Sequence, residues 1–116
     1  MTGCLFCNLI SGKTETEVVY QNDNVFCFED INPQAPVHVL IVPKRHYLNL
    51  NELAQKGEMS VIAEMMKAAM EVARIKGIDE RGFRIVINNN EEGGQIIKHL
   101  HLHILGGKQI GGGMAG

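Results

Sequence analysis

The chain contains no tryptophan, and its other aromatics are four Phe and two Tyr. Its core must therefore be aliphatic and Met-based, and 45% apolar residues over 116 positions suffice for one such core in one domain, residues 1–116. No apolar run approaches the ~18 residues needed to cross a bilayer, so a membrane is not an expected partner. The first residues lack a basic stretch leading into an apolar one, so no secretion leader is expected. A net charge of -2 gives no support for nucleic acid as a partner. Cysteine is scarce as well. Two of the three form Cys4-x-x-Cys7, which fits a reducing compartment, with the cytoplasm as default, better than a disulfide framework.

Histidine is where the chain is rich. Three of its five histidines alternate in His99-Leu100-His101-Leu102-His103-Ile104-Leu105. In a strand this places the imidazoles on one face and Leu100, Leu102 and Ile104 on the other. A row of rings that titrate near neutrality suits phosphate binding, metal binding or nucleophilic attack. A neutral imidazole attacks phosphorus well and leaves readily, which splits a phosphoryl or nucleotidyl transfer into two easier steps. Gly93-Gly94-Gln95 stands just ahead of the row, where glycine lets backbone amides approach an anion.

Cys4-x-x-Cys7 has the spacing of half a tetrahedral zinc site. Cys27 lies in an apolar stretch and reads as core. The other ligands then come from His38, His46, His99, His101 and His103. His46 follows a strand-ending Pro43-Lys44-Arg45, and His99 opens the histidine strand. A rival arrangement is a catalytic zinc on the histidine row with His38 as an added ligand.

Around these motifs the pattern predicts a short helix over 5–10 ended by Gly12. Strands are expected over Val18–Tyr20 and Val25–Glu29, joined by a hairpin at Asn22-Asp23-Asn24. Further strands are expected over Val37–Val42 (closed by Pro43), Phe83–Ile87 and His99–Leu105. A loop is expected over 88–95, and a glycine-rich tail without regular structure over 106–116. One long helix, roughly Glu58–Lys76, carries a polar stripe of Ser60, Glu64, Lys67, Glu71 and Arg74, with a Lys67–Glu71 pair along it. The rest of its surface is apolar, including Met59, Met66 and Met70. That arc is too wide for one sheet face, so a second copy of the chain is the expected cover.

The His-x-His-x-His run resembles the motif of the histidine triad (HIT) superfamily. Leu5-Phe6-Cys7-Asn8-Leu9-Ile10, Phe28-Glu29-Asp30-Ile31-Asn32-Pro33-Gln34-Ala35-Pro36, His38-Val39-Leu40-Ile41-Val42-Pro43-Lys44 and Gly93-Gly94-Gln95 are similar to its nucleotide-binding (HINT) branch. The resemblance implies an α+β fold, with a five-stranded antiparallel sheet, one long helix and a short N-terminal helix. It implies a homodimer that continues the sheet. It also implies a purine-nucleotide-binding hydrolase that cleaves nucleoside 5'-phosphoramidates, of AMP-NH2 or AMP-lysine type, through a nucleotidyl-histidine intermediate. Carried over by position, His101 is the nucleophile, His103 contacts phosphate and assists the leaving group, and His38 supports them. Asp30 takes the ribose hydroxyls; Gly94 and Gln95 hold the phosphate; Asn88 lines its end. Leu5, Phe6, Leu9, Phe28 and Ile31 wall the base. The chemistry then needs no metal. In a zinc-bearing subset the ligand positions correspond to Cys4, Cys7, His46 and His99, and the zinc is structural.

Two positions and the tail depart from the HINT pattern. Ile96 stands where many relatives carry Ser. Lys98 is similar to the dinucleoside polyphosphate hydrolase branch, which keeps that activity as an alternative. The tail, with Gly107-Lys108-Gln109-Ile110, lacks aromatic and proline residues. A nucleotide-binding regulatory dimer with little turnover is the alternative that Ile96 keeps open.

Overall fold

The computed structural model describes residues 3–113. The elements in chain order are α1 (Leu5–Ile10), β1 (Val18–Gln21), β2 (Val25–Glu29), β3 (Val37–Pro43), α2 (Leu50–Gln55), α3 (Ser60–Ile75), β4 (Phe83–Val86) and β5 (Leu102–Gly106). The strands form one antiparallel sheet in the order β1-β2-β3-β5-β4. The α+β class and the five-stranded sheet are as the sequence led us to expect.

Alternation sorts the strands onto two cores. Val25, Cys27, Val39, Ile41, Leu102 and Ile104 face α3 and pack on its Met65, Ala68, Ala69, Val72 and Ala73. On the opposite face Phe26, Phe28, Leu40 and Val42 pack on Phe6 and Leu9 of α1. The sheet is thus a layer between the long helix and the short one, and His38 shares the α1 face with Leu40 and Val42. The β1–β2 turn forms because the Asn22 side-chain oxygen accepts from the backbone N–H of both Asn24 and Val25, each at 2.9 Å. Gly12 (φ +82°), beyond α1, and Gly77 (φ +69°), beyond α3, take the left-handed conformation in which a glycine carries no steric penalty.

Four expectations need correction. The last strand opens at Leu102, not His99, so only His103 of the three histidines lies in it. The cause is Pro43, which has no N–H for the ladder, while its carbonyl accepts from the His99 ring at 2.9 Å. The Leu100 N–H goes to the Tyr47 carbonyl instead, at 2.7 Å. Burial still alternates in sense, since Leu100 joins Leu102 and Ile104 in the α3 core. Second, α3 is two residues shorter at its start and one at its end than the expected helix. Third, Glu71 pairs with Arg74 one turn on, rather than with Lys67. Fourth, α2 was not foreseen, although its signal was there. Asn49 caps the helix by accepting from the Glu52 N–H, and the Glu52 carboxylate accepts from the Leu48 N–H. Gly106 closes β5, and the described tail beyond it has no helix or strand; positions 114–116 lie outside the described residues.

Candidate active site and candidate metal centre

The three histidines of the row turn to three different partners. His99 is fully buried. Its Nε2–H donates to the Pro43 carbonyl at 2.9 Å, which leaves the lone pair on Nδ1. That atom lies 3.3 Å from the Cys4 sulfur and 3.6 Å from the Cys7 sulfur. His46 Nδ1 is 3.3 Å from the Cys7 sulfur, while its buried Nε2 has no partner among the described residues. Ligand atoms of Cys4, Cys7, His46 and His99 all lie within 4.8 Å of one another. A tetrahedral zinc with its usual bond lengths sets sulfur and nitrogen ligands about 3.5 Å apart, and the sulfur–nitrogen separations of 3.3, 3.6 and 3.3 Å match that spacing. Burial pushes His99 down to about 4 and also lowers His46, which keeps both rings in the neutral form a metal requires. Burial, helped by the Cys4 thiol beside it, raises the Cys7 thiol.

His101 turns the other way. Its Nδ1–H donates to the backbone carbonyl of His99 at 2.7 Å, so Nε2 keeps its lone pair. The Phe6 ring stands edge-on to it, with centroids 5.0 Å apart. Burial holds its pKa below the ordinary histidine range. It is therefore a neutral, oriented imidazole at physiological pH.

His103 pairs with His38, Nδ1 to Nε2, at 2.9 Å. The sheet register explains the contact. Leu40 lies opposite His103, and His38 is two residues before Leu40 on the same face. Asp30 follows β2 and places a carboxylate oxygen 3.3 Å from His38 Nε2. The Gln34 N–H donates to His38 Nδ1 at 3.0 Å. Asp30, His38 and His103 are spaced closely enough to suggest a second metal group. The tautomers argue otherwise. With Nδ1 accepting from an amide, the one proton of neutral His38 sits on Nε2, the atom a metal would need bare. Among the described residues, His101 stands beside His103 but is not close enough to His38 and His103 together to share one ion with them. The rival catalytic-zinc arrangement is thus not built here.

The loop over 88–98 is more constrained than its composition suggested. Asn89 accepts from the Leu50 N–H and donates to Asn51, both at 2.8 Å, and Asn49 donates to Asn90 at 2.8 Å. The Gln95 amide donates to the Leu48 carbonyl at 2.7 Å and to the Ile97 carbonyl at 3.0 Å, and it accepts from the Asn90 N–H at 2.9 Å. The backbone N–H groups of Gly94 and Gln95 are likewise bonded to the carbonyls of Glu91 and Asn90. Gln95 and Gly94, expected as phosphate donors, are engaged inside the loop. The sequence predicts only a loop over 88–95, with Asn88 at the phosphate end, and does not reveal this asparagine clasp. Asn88 is half-buried in the same loop. Of the expected base wall, Phe6, Leu9 and Phe28 are buried, Leu5 is half exposed and Ile31 is 89% exposed. Asp30 also accepts from the Asn32 N–H at 2.8 Å. Ile96 is 86% exposed.

The chain is similar to known proteins in sequence and in fold. The HIT domain model matches residues 11–110. The chain belongs to the HIT domain family. It is 37% identical over 107 residues to the purine nucleoside phosphoramidase of Escherichia coli (strain K12), covering 92% of this chain and 89% of that protein. It is 42% identical over 106 residues to an uncharacterized HIT-like protein of Buchnera aphidicola, covering 91% of this chain and 92% of the other. Among solved structures, a HIT family hydrolase from Clostridium thermocellum superposes with a TM-score of 0.93 at 38% identity, covering 98% of each chain. A histidine triad protein from Clostridium difficile gives 0.92 at 40% identity, covering 97% and 96%. The family, the fold and a hydrolase character follow, and no helix among the described residues is long and apolar enough to cross a membrane.

Proposed function

We propose that this HIT protein is a purine nucleoside phosphoramidase that works through a nucleotidyl intermediate on His101. The observation that carries the reading is the 2.7 Å bond from His101 Nδ1–H to the His99 carbonyl, which turns an unprotonated Nε2 outward from the main chain as a nucleophile. Likeness to the E. coli phosphoramidase supports the substrate class. In the first step the substrate nitrogen takes a proton from solvent, His101 Nε2 attacks phosphorus, and the neutral amine departs with the P–N bonding pair. In the second, water displaces the imidazole and releases the mononucleotide. The His99 carbonyl stabilises the cationic imidazole that forms between the two steps. His103 and His38 sit beside the nucleophile, with the His101 and His103 ring centroids 5.1 Å apart, in reach of the same phosphate.

Under this reading Phe6, Leu9 and Phe28 back the purine, with Leu5 and Ile31 as its exposed edges. Asp30 accepts from the ribose hydroxyls. Gly94, Gln95 and Asn88 shape the phosphate end through the clasped loop. Cys4, Cys7, His46 and His99 hold a structural zinc, which supplies a fixed junction between α1 and the segment before β5. Met59, just before α3, the apolar stripe of α3 with exposed Met66 and Met70, and the sheet edge at β4 form the interface of a homodimer. The test is AMP release from adenosine 5'-phosphoramidate beside diadenosine polyphosphate. Release from the first with little from the second supports the proposal. Preference for the second moves the activity to the polyphosphate branch, to which Lys98 is similar. Tight AMP binding with no release from either leaves a binding protein.

A further inference from the structure

We infer that His103 meets the substrate phosphate as a neutral hydrogen-bond donor and does not protonate the leaving amine, and that the Gln34 backbone N–H enforces this through His38. The inference rests on the phosphoramidase reading for its kinetic consequences. Its proton assignments rest on the hydrogen bonds alone.

The chain of donors runs one way. A backbone N–H can only donate, and that of Gln34 donates to His38 Nδ1 at 3.0 Å. Gln34 is itself held, because its side chain donates to the Asn32 carbonyl at 3.1 Å and the Asn32 N–H donates to Asp30 at 2.8 Å. Neutral His38 must then carry its proton on Nε2. That proton faces His103 Nδ1 at 2.9 Å, with the Asp30 carboxylate at 3.3 Å as a second acceptor. His103 Nδ1 is therefore an acceptor, and the proton of its neutral ring is on Nε2.

To act as an acid, His103 would have to start as an imidazolium. Its Nδ1–H would then confront the Nε2–H of His38, donor against donor. Turning His38 to its other tautomer removes that clash but sets its Nδ1–H against the Gln34 N–H. Either way a half-buried hydrogen bond is lost and one donor is left facing another. Starting neutral fares no better, because giving up Nε2–H leaves an imidazolate. The groups facing His103 are His101, His38 and Asp30; burial first, then the two histidines, push it down to about 4, and Asp30 opposes them. A donor that stays neutral suits a phosphoryl oxygen whose charge grows in the transition state.

The step balances without an acid from the protein. The substrate nitrogen takes a proton from solvent. The bond from phosphorus to His101 Nε2 forms as the P–N bond breaks, and the nitrogen leaves with the bonding pair as a neutral amine. His101 retains its Nδ1–H throughout. Water then attacks phosphorus, the bonding pair returns to Nε2, and the water's proton passes to solvent.

The experiment compares wild type, His103→Ala and His103→Gln on an alkylamine phosphoramidate of AMP and on the 4-nitrophenyl ester of AMP, whose leaving group departs without a proton. His103→Ala is expected to lower kcat/KM by the same factor on both, on the order of 10²–10³ for loss of one such donor. His103→Gln, which keeps an N–H but no acid, is expected to recover part of it on both. A loss at least tenfold smaller on the ester than on the amide overturns the inference. Nitrogen-15 NMR of the histidine rings at neutral pH gives an independent answer. His38 and His103 should each be protonated on Nε2 alone, and Gln34→Pro, which removes the N–H, should release that assignment while the thermal midpoint reports folding. A proton on His103 Nδ1 in wild type overturns the inference even if turnover is high. Absence of wild-type turnover on both substrates contradicts the phosphoramidase reading, while the NMR result still decides the tautomers.

Discussion

The backbone carbonyl of His99 accepts the ring N–H of His101 at 2.7 Å, while the ring of His99 faces two thiols. One residue thus belongs to the candidate metal centre through its side chain and to the candidate nucleophile through its main chain. A disturbance of the first is passed to the second by a single peptide unit.

Metal content and stability should therefore change together. We predict about one zinc per chain in protein purified without chelator, and none bound tightly in Cys7→Ser. Because a structural zinc contributes folding free energy, often ~10 kcal/mol or more in small zinc domains and less where a hydrophobic core exists, stripping it should lower the thermal midpoint by several degrees or more. Metal analysis and calorimetry on the same samples check this. An unchanged midpoint on full removal contradicts the structural role.

Acid should destabilise the metal-free protein before the carboxylates titrate. Histidine titrates near 6.5 in an unfolded chain, but His99 and His103 are pushed down to about 4 in the fold, first of all by burial. Between those values the unfolded state binds protons that the native state refuses. Stability is therefore full above about 6.5, falls as pH falls, and levels off below about 4. Urea midpoints across this window should show that slope, and His103→Asn should make it shallower.

Gly93 cannot carry a side chain without moving the clasped loop. A Cβ there would lie 2.3 Å from the Asn89 carbonyl oxygen. Gly93→Ala should cost about 1–3 kcal/mol and weaken nucleotide binding more than Gly3→Ala, where nothing lies within 4 Å. Denaturation and AMP titration of both variants measure the contrast.

The methionine stripe of α3 predicts an oligomer. Met66 is 38% and Met70 47% exposed one turn apart, on the side of the helix away from the α3 core. Met70→Glu should shift a dimer toward monomer in sedimentation at micromolar concentration with little change in helix content. A wild type that sediments as a monomer contradicts the proposed interface.

Much of this was legible in the sequence, for reasons that differ by residue. The strands over Val37–Val42 and Phe83–Ile87 were legible as short apolar runs bounded by turn residues, and β3 is buried on both faces, by α3 and by α1. The thiol–histidine group was narrowed by spacing to Cys4 and Cys7 plus a choice among five histidines, and the resemblance singled out His46 and His99. What escaped depended on single hydrogen bonds. The start of β5 was misplaced because a ring nitrogen of His99 takes a carbonyl that a strand would use. The short helix α2 was hidden by its six-residue length, despite its Asn49–Glu52 cap. The Gln34 N–H on His38 has no signature in side-chain identity at all, because a backbone donor is present at every residue except proline. The commitment of Gln95 to Leu48 and Ile97 was likewise invisible, since glutamine beside glycines reads equally as a phosphate ligand or as a loop fastener.

The most direct test of the account is to trap the intermediate. Wild-type protein is mixed with adenosine 5'-phosphoramidate, quenched within milliseconds to seconds under conditions that preserve phosphoramide bonds, and analysed by intact mass and peptide mapping. The account predicts an adenylyl group on His101, absent from His101→Ala, which should bind AMP close to normally while losing at least 10³-fold in turnover. An adduct on His103, or full turnover by His101→Ala, contradicts it.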